Sequence, residues 1–387
     1  MGDVNSTLIT GSSELQDLFR RAQEAKTPVY LYRRQPGNNG IQLDFKNWNQ
    51  IEQLDVDNLM VTAPPGLLLK DLNAAANAHG LRFIPADTPL FANLSVGEWA
   101  YRGCPNPSLW KYGAGKHFLL GSTYVLPNGD LTPVGGRCIK NVSGYDFTRF
   151  FTGAYADLAV GVSYIIKLMP QPEYRCRYDA AFPSLADATL FVKRLQERSV
   201  PPAWLFWFDE TVGGKFFGEG QQGQRLFFEL DSNKAEVLDQ AAAIDAILTA
   251  CRGVKNSVAA ELPDLSRLED RADGFWLMDE FKVLYPSVPD FAERFSKQLA
   301  EHKVSGGLFG QLADGKIHVY LEAQPPAREE IIRALQKEAQ TLGGASSGKY
   351  DRLFGQAGSG RLALLEKSVK KLIDPHLIFN CREEEVK

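Results

Sequence analysis

The chain contains no Cys-x-x-Cys pair, no apolar run of membrane length and no surplus of basic charge. Its five cysteines, Cys104, Cys138, Cys176, Cys251 and Cys381, are scattered and odd in number. That spacing offers neither a structural zinc site nor an iron–sulfur cluster, and free thiols in a reducing compartment are the expectation. With 43 Lys and Arg against 47 Asp and Glu, the net charge of -4 leaves no basic stripe for nucleic acid and no polybasic anchor for lipid. No stretch approaches the roughly 20 apolar residues that span a bilayer, so no transmembrane segment is expected. The first residues lack the basic region and hydrophobic core of a secretory signal. The expected location is the cytoplasm, with any membrane association made through partner subunits.

What is present is an ordinary globular composition, 44% hydrophobic and 23% charged over 387 residues. Length alone suggests about two to three domains. Leu8 to Tyr32 reads as strand, helix, strand, and Gln35-Pro36-Gly37-Asn38-Asn39-Gly40 follows as a dense turn. Leu67 to His79 has helical spacing and Gly80 stands where a helix ends. From Phe91 to Gly121 periodicity fades into Gly, Asn, Ser and aromatics, a long irregular stretch of the kind shaped around a ligand. Phe118 to Val134 reads as a hairpin turning at Pro127-Asn128-Gly129-Asp130. After Pro170-Gln171-Pro172 helices and strands alternate in two rounds, which suggests an α+β domain of ferredoxin-like build.

The most informative stretch runs from Gly135 to Asp146 and on into the apolar run Leu158–Leu168. Glycines beside a polar cluster, feeding a buried strand, suit a backbone that closes around a phosphate, because glycine lets inward-facing N–H groups approach.

Lys140-Asn141-Val142-Ser143-Gly144-Tyr145-Asp146, together with the ending Asp374-Pro375-His376-Leu377-Ile378-Phe379-Asn380, resembles the vanillyl-alcohol-oxidase-type (PCMH-type) FAD flavoproteins. Within them it is most similar to the FAD-domain subunits of bacterial glycolate oxidase, above all the shorter of these. The resemblance covers nearly the whole chain. It implies a two-lobed PCMH-type FAD-binding domain over residues 1–172 and a ferredoxin-like α+β cap over 173–345. A C-terminal segment, 346–387, is expected to return to the FAD domain. It implies non-covalent FAD, and as partners a larger flavin-bearing catalytic subunit and an iron–sulfur subunit. The implied reaction is oxidation of a 2-hydroxy acid such as glycolate or D-lactate. The cofactor-binding positions carried over are Gly37, Asn38, Ser95, Val96, Gly97, Tyr112, Gly113, Lys140, Asn141, Gly144, Tyr145, Val160 and Asn380.

Four departures qualify the likeness. The first phosphate loop, Tyr32 to Gly40, has shifted glycines and Pro36, which supplies no N–H. The second, Ser95-Val96-Gly97-Glu98, puts a carboxylate where bare backbone meets phosphate, a repulsion unless Glu98 turns away. Ala156, Asp157 and Ala159 stand where the family keeps Gly, Thr and Gly. In the cap, Gln311 to His318 and Ser347 to Asp351 keep one histidine, His318, of the family's His-x-Gly-Asp-Gly-Asn-Leu-His and Gly-Glu-His-Gly motifs. One histidine cannot hold a divalent metal that takes about three protein ligands, so no metal is expected. His318 is the only catalytic candidate, and a strand residue with a local contact is its default reading. The expectation is an oxidoreductase subunit whose own catalytic site is degenerate. The alternative is an assembly subunit that has lost FAD.

Overall fold

The structure is a computed structural model that describes residues 6–31, 40–88, 91–138, 144–154, 157–217, 223–256, 276–322, 327–346 and 361–381. The chain divides into two compact units. One comprises residues 1–106, 114–171 and 357–387, and the other comprises 107–113 and 172–356.

The first unit is built around two small sheets, beside a two-stranded pairing of Met169–Pro170 with Leu81–Arg82. Ser6–Leu8, Ile41–Asp44 and Val29–Tyr30 form a parallel sheet with Ile41–Asp44 in the centre. The helix Ser12–Ala25 lays Leu15, Leu18, Phe19 and Ala22 against it, the i, i+3, i+4 stripe that hydrophobic burial selects. Its chain reverses at Lys26, which takes the left-handed conformation at φ 52°. The C-terminal ending joins this sheet: Phe379 bridges Val29 in parallel and packs edge-on against Phe19, with ring centroids 5.4 Å apart. The second sheet is antiparallel, in the order Gln53–Asp55, Met60–Ala63, Val160–Lys167, Leu119–Val125, Leu131–Gly135. The stretch Phe91–Gly121, irregular by its sequence, contains the helix Val96–Tyr101 and a shorter one, Leu109–Tyr112, which falls in the second unit. At six residues the first is too short to show a helical period, so only its cap betrays it.

The second unit is an eight-stranded antiparallel sheet, ordered Val254–Lys255, Tyr174–Phe182, Gln224–Ser232, Trp204–Phe208, Ser305–Gln311, Lys316–Glu322, Trp276–Lys282, Ala345–Ser346. The helices Leu185–Glu197, Lys234–Ala250, Val288–His302 and Ala327–Thr341 bury their apolar stripes in one core with the sheet residues Tyr178, Phe228, Trp207 and Val319. Tyr178 and Phe228 stack there at 4.7 Å with planes 3° apart. Strand alternation puts different chemistry on the opposite face. Arg175 and Arg177 reach Glu229 at 3.3 and 2.7 Å, and Arg225 reaches Asp179 at 2.5 Å. Glu229 is 0% exposed, so these arginines supply the countercharge that its burial demands.

Candidate functional site

In the first unit the candidate site begins at Ser95. Its Oγ accepts the Glu98 N–H at 3.1 Å, while the Glu98 carboxylate accepts the Ser95 N–H at 3.2 Å, a reciprocal capping box. Glu98 therefore folds back on its own turn and does not project towards a ligand. Arg102, 3.6 Å away, adds a countercharge. The neighbouring N–H groups are taken as well: Val96 donates to the Leu67 carbonyl at 2.8 Å and Gly97 to the Pro65 carbonyl at 2.9 Å. Every N–H from Ser95 to Glu98 thus has a partner within the fold, and none is left directed at a phosphate.

Beside this turn lies a cavity of about 20 Å³, lined by Leu31, Gly97, Ala100, Tyr101, Tyr124, Phe151, Ala159, Gly161 and Tyr164. That space holds about one water molecule. Its walls are aromatic: Tyr124 packs on Phe151 with centroids 4.6 Å apart, and burial pushes the Tyr124 phenol up to about 12. Val160, carried over as a flavin residue, is 0% exposed and paired with Val125 in the hydrophobic core.

Asn380 is positioned by the C-terminal ending. Asp374 is 1% exposed and accepts the N–H groups of Ile378 and Phe379 at 3.1 and 2.9 Å, with Lys370 2.9 Å from its carboxylate. Lys370 also donates to the carbonyls of Asp157 and Phe379, each at 2.5 Å. The turn so formed places Asn380 at φ 47°, a left-handed conformation that asparagine tolerates. Its amide then pairs with Leu31 like a strand neighbour, accepting the N–H at 2.8 Å and donating to the C=O at 3.2 Å. Asn380 therefore fixes the residue directly before the first loop, and Leu31 lines the cavity.

The structure does not bring the remaining positions together at this cavity. Gly144 has φ 80° with open space around it, and Tyr145 is 88% exposed, its ring edge-on to Phe147 at 6.1 Å. Tyr112 and Gly113 belong to the second unit, where the Tyr112 hydroxyl donates to Asp231 at 2.7 Å and Lys111 Nζ lies 2.7 Å from the same oxygen. Gly37, Asn38, Lys140 and Asn141 lie outside the described residues, as do Ala156, Lys349 and Tyr350.

The catalytic candidate, His318, sits mid-strand and stacks on Phe309 across the hairpin, centroids 4.7 Å and planes 16° apart. Gln311, where the resembling motif has its first histidine, is 4% exposed and its Nε2 has no hydrogen-bond partner among the described residues. Asp314 lies in the short helical turn Leu312–Asp314, closed by Gly315 in the left-handed conformation. Burial raises its carboxyl to about 6, against the opposing pull of Lys282 and Lys316. Gly161 and Tyr164 were not among the residues singled out from the sequence. A glycine inside an otherwise β-branched strand was the available signal, because it marks a bulge or a close approach.

Comparison with known proteins places this geometry in a family. Residues 10–135 match the profile described as "FAD binding domain", and residues 171–383 match "FAD linked oxidases, C-terminal domain". The chain is 25% identical over 368 residues to glycolate oxidase subunit GlcD of Bacillus subtilis, covering 87% of this chain and 75% of that one. It is also 25% identical over 402 residues to a D-lactate dehydrogenase of Archaeoglobus fulgidus, covering 96% and 89%. Among solved structures, p-cresol methylhydroxylase with substrate bound superposes with a TM-score of 0.71 at 15% identity, over 96% of this chain and 87% of the other. 4-Ethylphenol oxidase from Gulosibacter chungangensis gives 0.75 at 13% identity, over 97% and 89%. The chain belongs to the FAD-linked oxidases. It is an oxidoreductase of the PCMH-type fold, related to glycolate oxidase and the D-lactate dehydrogenases, and FAD is the cofactor of that family.

Among the described residues, the second loop and the cavity beside it do not fit that cofactor in this conformation; residues 32–39 of the first loop and the Lys140-Asn141 pair lie outside the described residues. The second loop offers no N–H group, and the cavity beside it is far below the roughly 300 Å³ of a small ligand pocket.

Proposed function

We propose that this chain is a non-turnover subunit of a 2-hydroxy acid dehydrogenase-like assembly, acting on glycolate or D-lactate, beside a larger flavin-bearing catalytic subunit and an iron–sulfur subunit. One observation carries the reading: His318 stacks on Phe309, and the position where the resembling motif has its first histidine holds Gln311, whose Nε2 has no hydrogen-bond partner among the described residues. A metal site needs several converging ligands, and a general base needs a group free to reach substrate. On the polar face of the second unit Glu229 and Asp179 are paired with arginines.

A second reading, an assembly subunit that carries no flavin of its own, is favoured by the small size of the cavity beside the second loop. Both readings share one test, purification of the tagged chain from its native host followed by a dye-linked dehydrogenase assay. A flavin-bearing subunit and an iron–sulfur subunit are expected to co-purify, with 2-hydroxy acid oxidation confined to the complex. Oxidation of glycolate or D-lactate by the isolated chain, at the rate of the complex, would contradict both. No described helix is long and apolar enough to cross a membrane, so the purification needs no detergent on that account.

A further inference from the structure

The cavity that is too small for FAD has an identifiable obstruction. Val160–Lys167 pairs with Leu119–Val125, and the register runs Ser122 with Tyr164, Thr123 with Ser163, then Tyr124 with Gly161. Val162 is the extra residue of a β-bulge. In a regular strand residues three apart face opposite sides; the bulge turns Gly161 and Tyr164 to the same side. Tyr164 uses that geometry, its phenol lying across the backbone of Gly161. A Cβ built on Gly161 overlaps Tyr164 Oη and Cζ and comes within 3.0 Å of Cε1. The ring is 3% exposed and lines the cavity with Gly97 of the second phosphate loop and with Ala159. Glycine at 161 and tyrosine at 164 are therefore a matched pair, one vacating the space that the other fills.

We propose that Tyr164 sets the flavin affinity of this chain: with its phenol over Gly161 the dinucleotide cleft is closed, and FAD enters only when the ring leaves. Expelling a buried aromatic ring opposes binding, and that opposition is reflected directly in the dissociation constant. The cavity and the bulge carry this role for Tyr164 by themselves. It holds whether or not the chain works in a 2-hydroxy acid dehydrogenase assembly.

The test is FAD titration of the full-length chain, followed by quenching of flavin fluorescence, for the wild type, Tyr164→Ala and Gly161→Ala. Tyr164→Ala removes the ring, and Gly161→Ala displaces it by the steric overlap, so two different changes should act in the same direction. Thermal unfolding identifies any variant that fails to fold, and the remaining variant then decides. The expected result is weak binding by the wild type and about tenfold or more tighter binding by each folded variant. Equal affinity in wild type and variants, weaker binding by the variants, or no binding by any of them would overturn the proposal, as would tight stoichiometric FAD in the wild type. None of these outcomes bears on co-purification with partner subunits, so the two readings fail separately.

Discussion

At the scale of single residues, the ending Asp374 to Asn380 does structural work that its sequence only hints at. Asn380 is 1% exposed and satisfies both backbone groups of Leu31. Asn380→Ala leaves a buried N–H and a buried C=O without partners, and each such orphan costs about 1–3 kcal/mol. Allowing for some relaxation, a loss of about 2 kcal/mol is expected, read from the midpoint of urea unfolding. The motif was legible as a family ending because its spacing is distinctive. The role of Asn380 was not, since its partner lies 349 positions away. Glu98 teaches the same lesson in reverse. As a bare residue it looks repulsive to phosphate, yet the Ser-x-x-Glu pattern that contains it is a capping signature, and the structure uses it as one.

At the scale of elements, Asp209 joins a helix to a strand. Its carboxylate accepts the Val212 N–H at 2.8 Å, at the start of the helix Glu210–Phe217, and the Leu308 N–H at 2.5 Å, in the strand Ser305–Gln311. Burial pushes its pKa from 3.8 up to about 6, despite those hydrogen bonds. The folded chain therefore keeps a proton that the unfolded chain releases between those two values. The stability linked to this proton is present below about 4 and is lost as pH rises through about 6. Melting temperatures across that range should show wild type losing ground against Asp209→Asn as pH climbs, with a constant gap above it. A gap that stays flat throughout would show that Asp209 ionises normally. The alternation of helices and strands after Pro172 was legible in the sequence as an α+β domain. In Tyr174–Phe182 the apolar Tyr178, Ala180 and Phe182 alternate with Arg177 and Asp179, so one face joins the core and the other carries ion pairs. The partners of those ion pairs, Glu229 and Arg225, lie 52 and 46 positions away, a pairing that the sequence alone does not display.

At the scale of the whole molecule, the chain keeps the fold of a FAD-linked oxidase. The chain forms two units, the second built on an antiparallel sheet, and Phe379 near the chain ending bridges Val29 in the first. Ala159, expected from the sequence to crowd a flavin, lines the small cavity beside the second loop. The obstruction proposed above has another source: a tyrosine three residues beyond a glycine, brought to the same face by a bulge that no pairwise reading of sequence displays. The departure from the resembling motif at Gln311 was easier to see, because glutamine for histidine is a change of side-chain chemistry and needs no coordinates to interpret.

The most direct measurement is the flavin content of the purified chain after incubation with excess FAD and removal of the unbound cofactor by gel filtration. Visible absorbance against protein concentration gives the ratio. A closed cleft predicts far less than one FAD per chain, and one tightly retained FAD per chain would contradict the account.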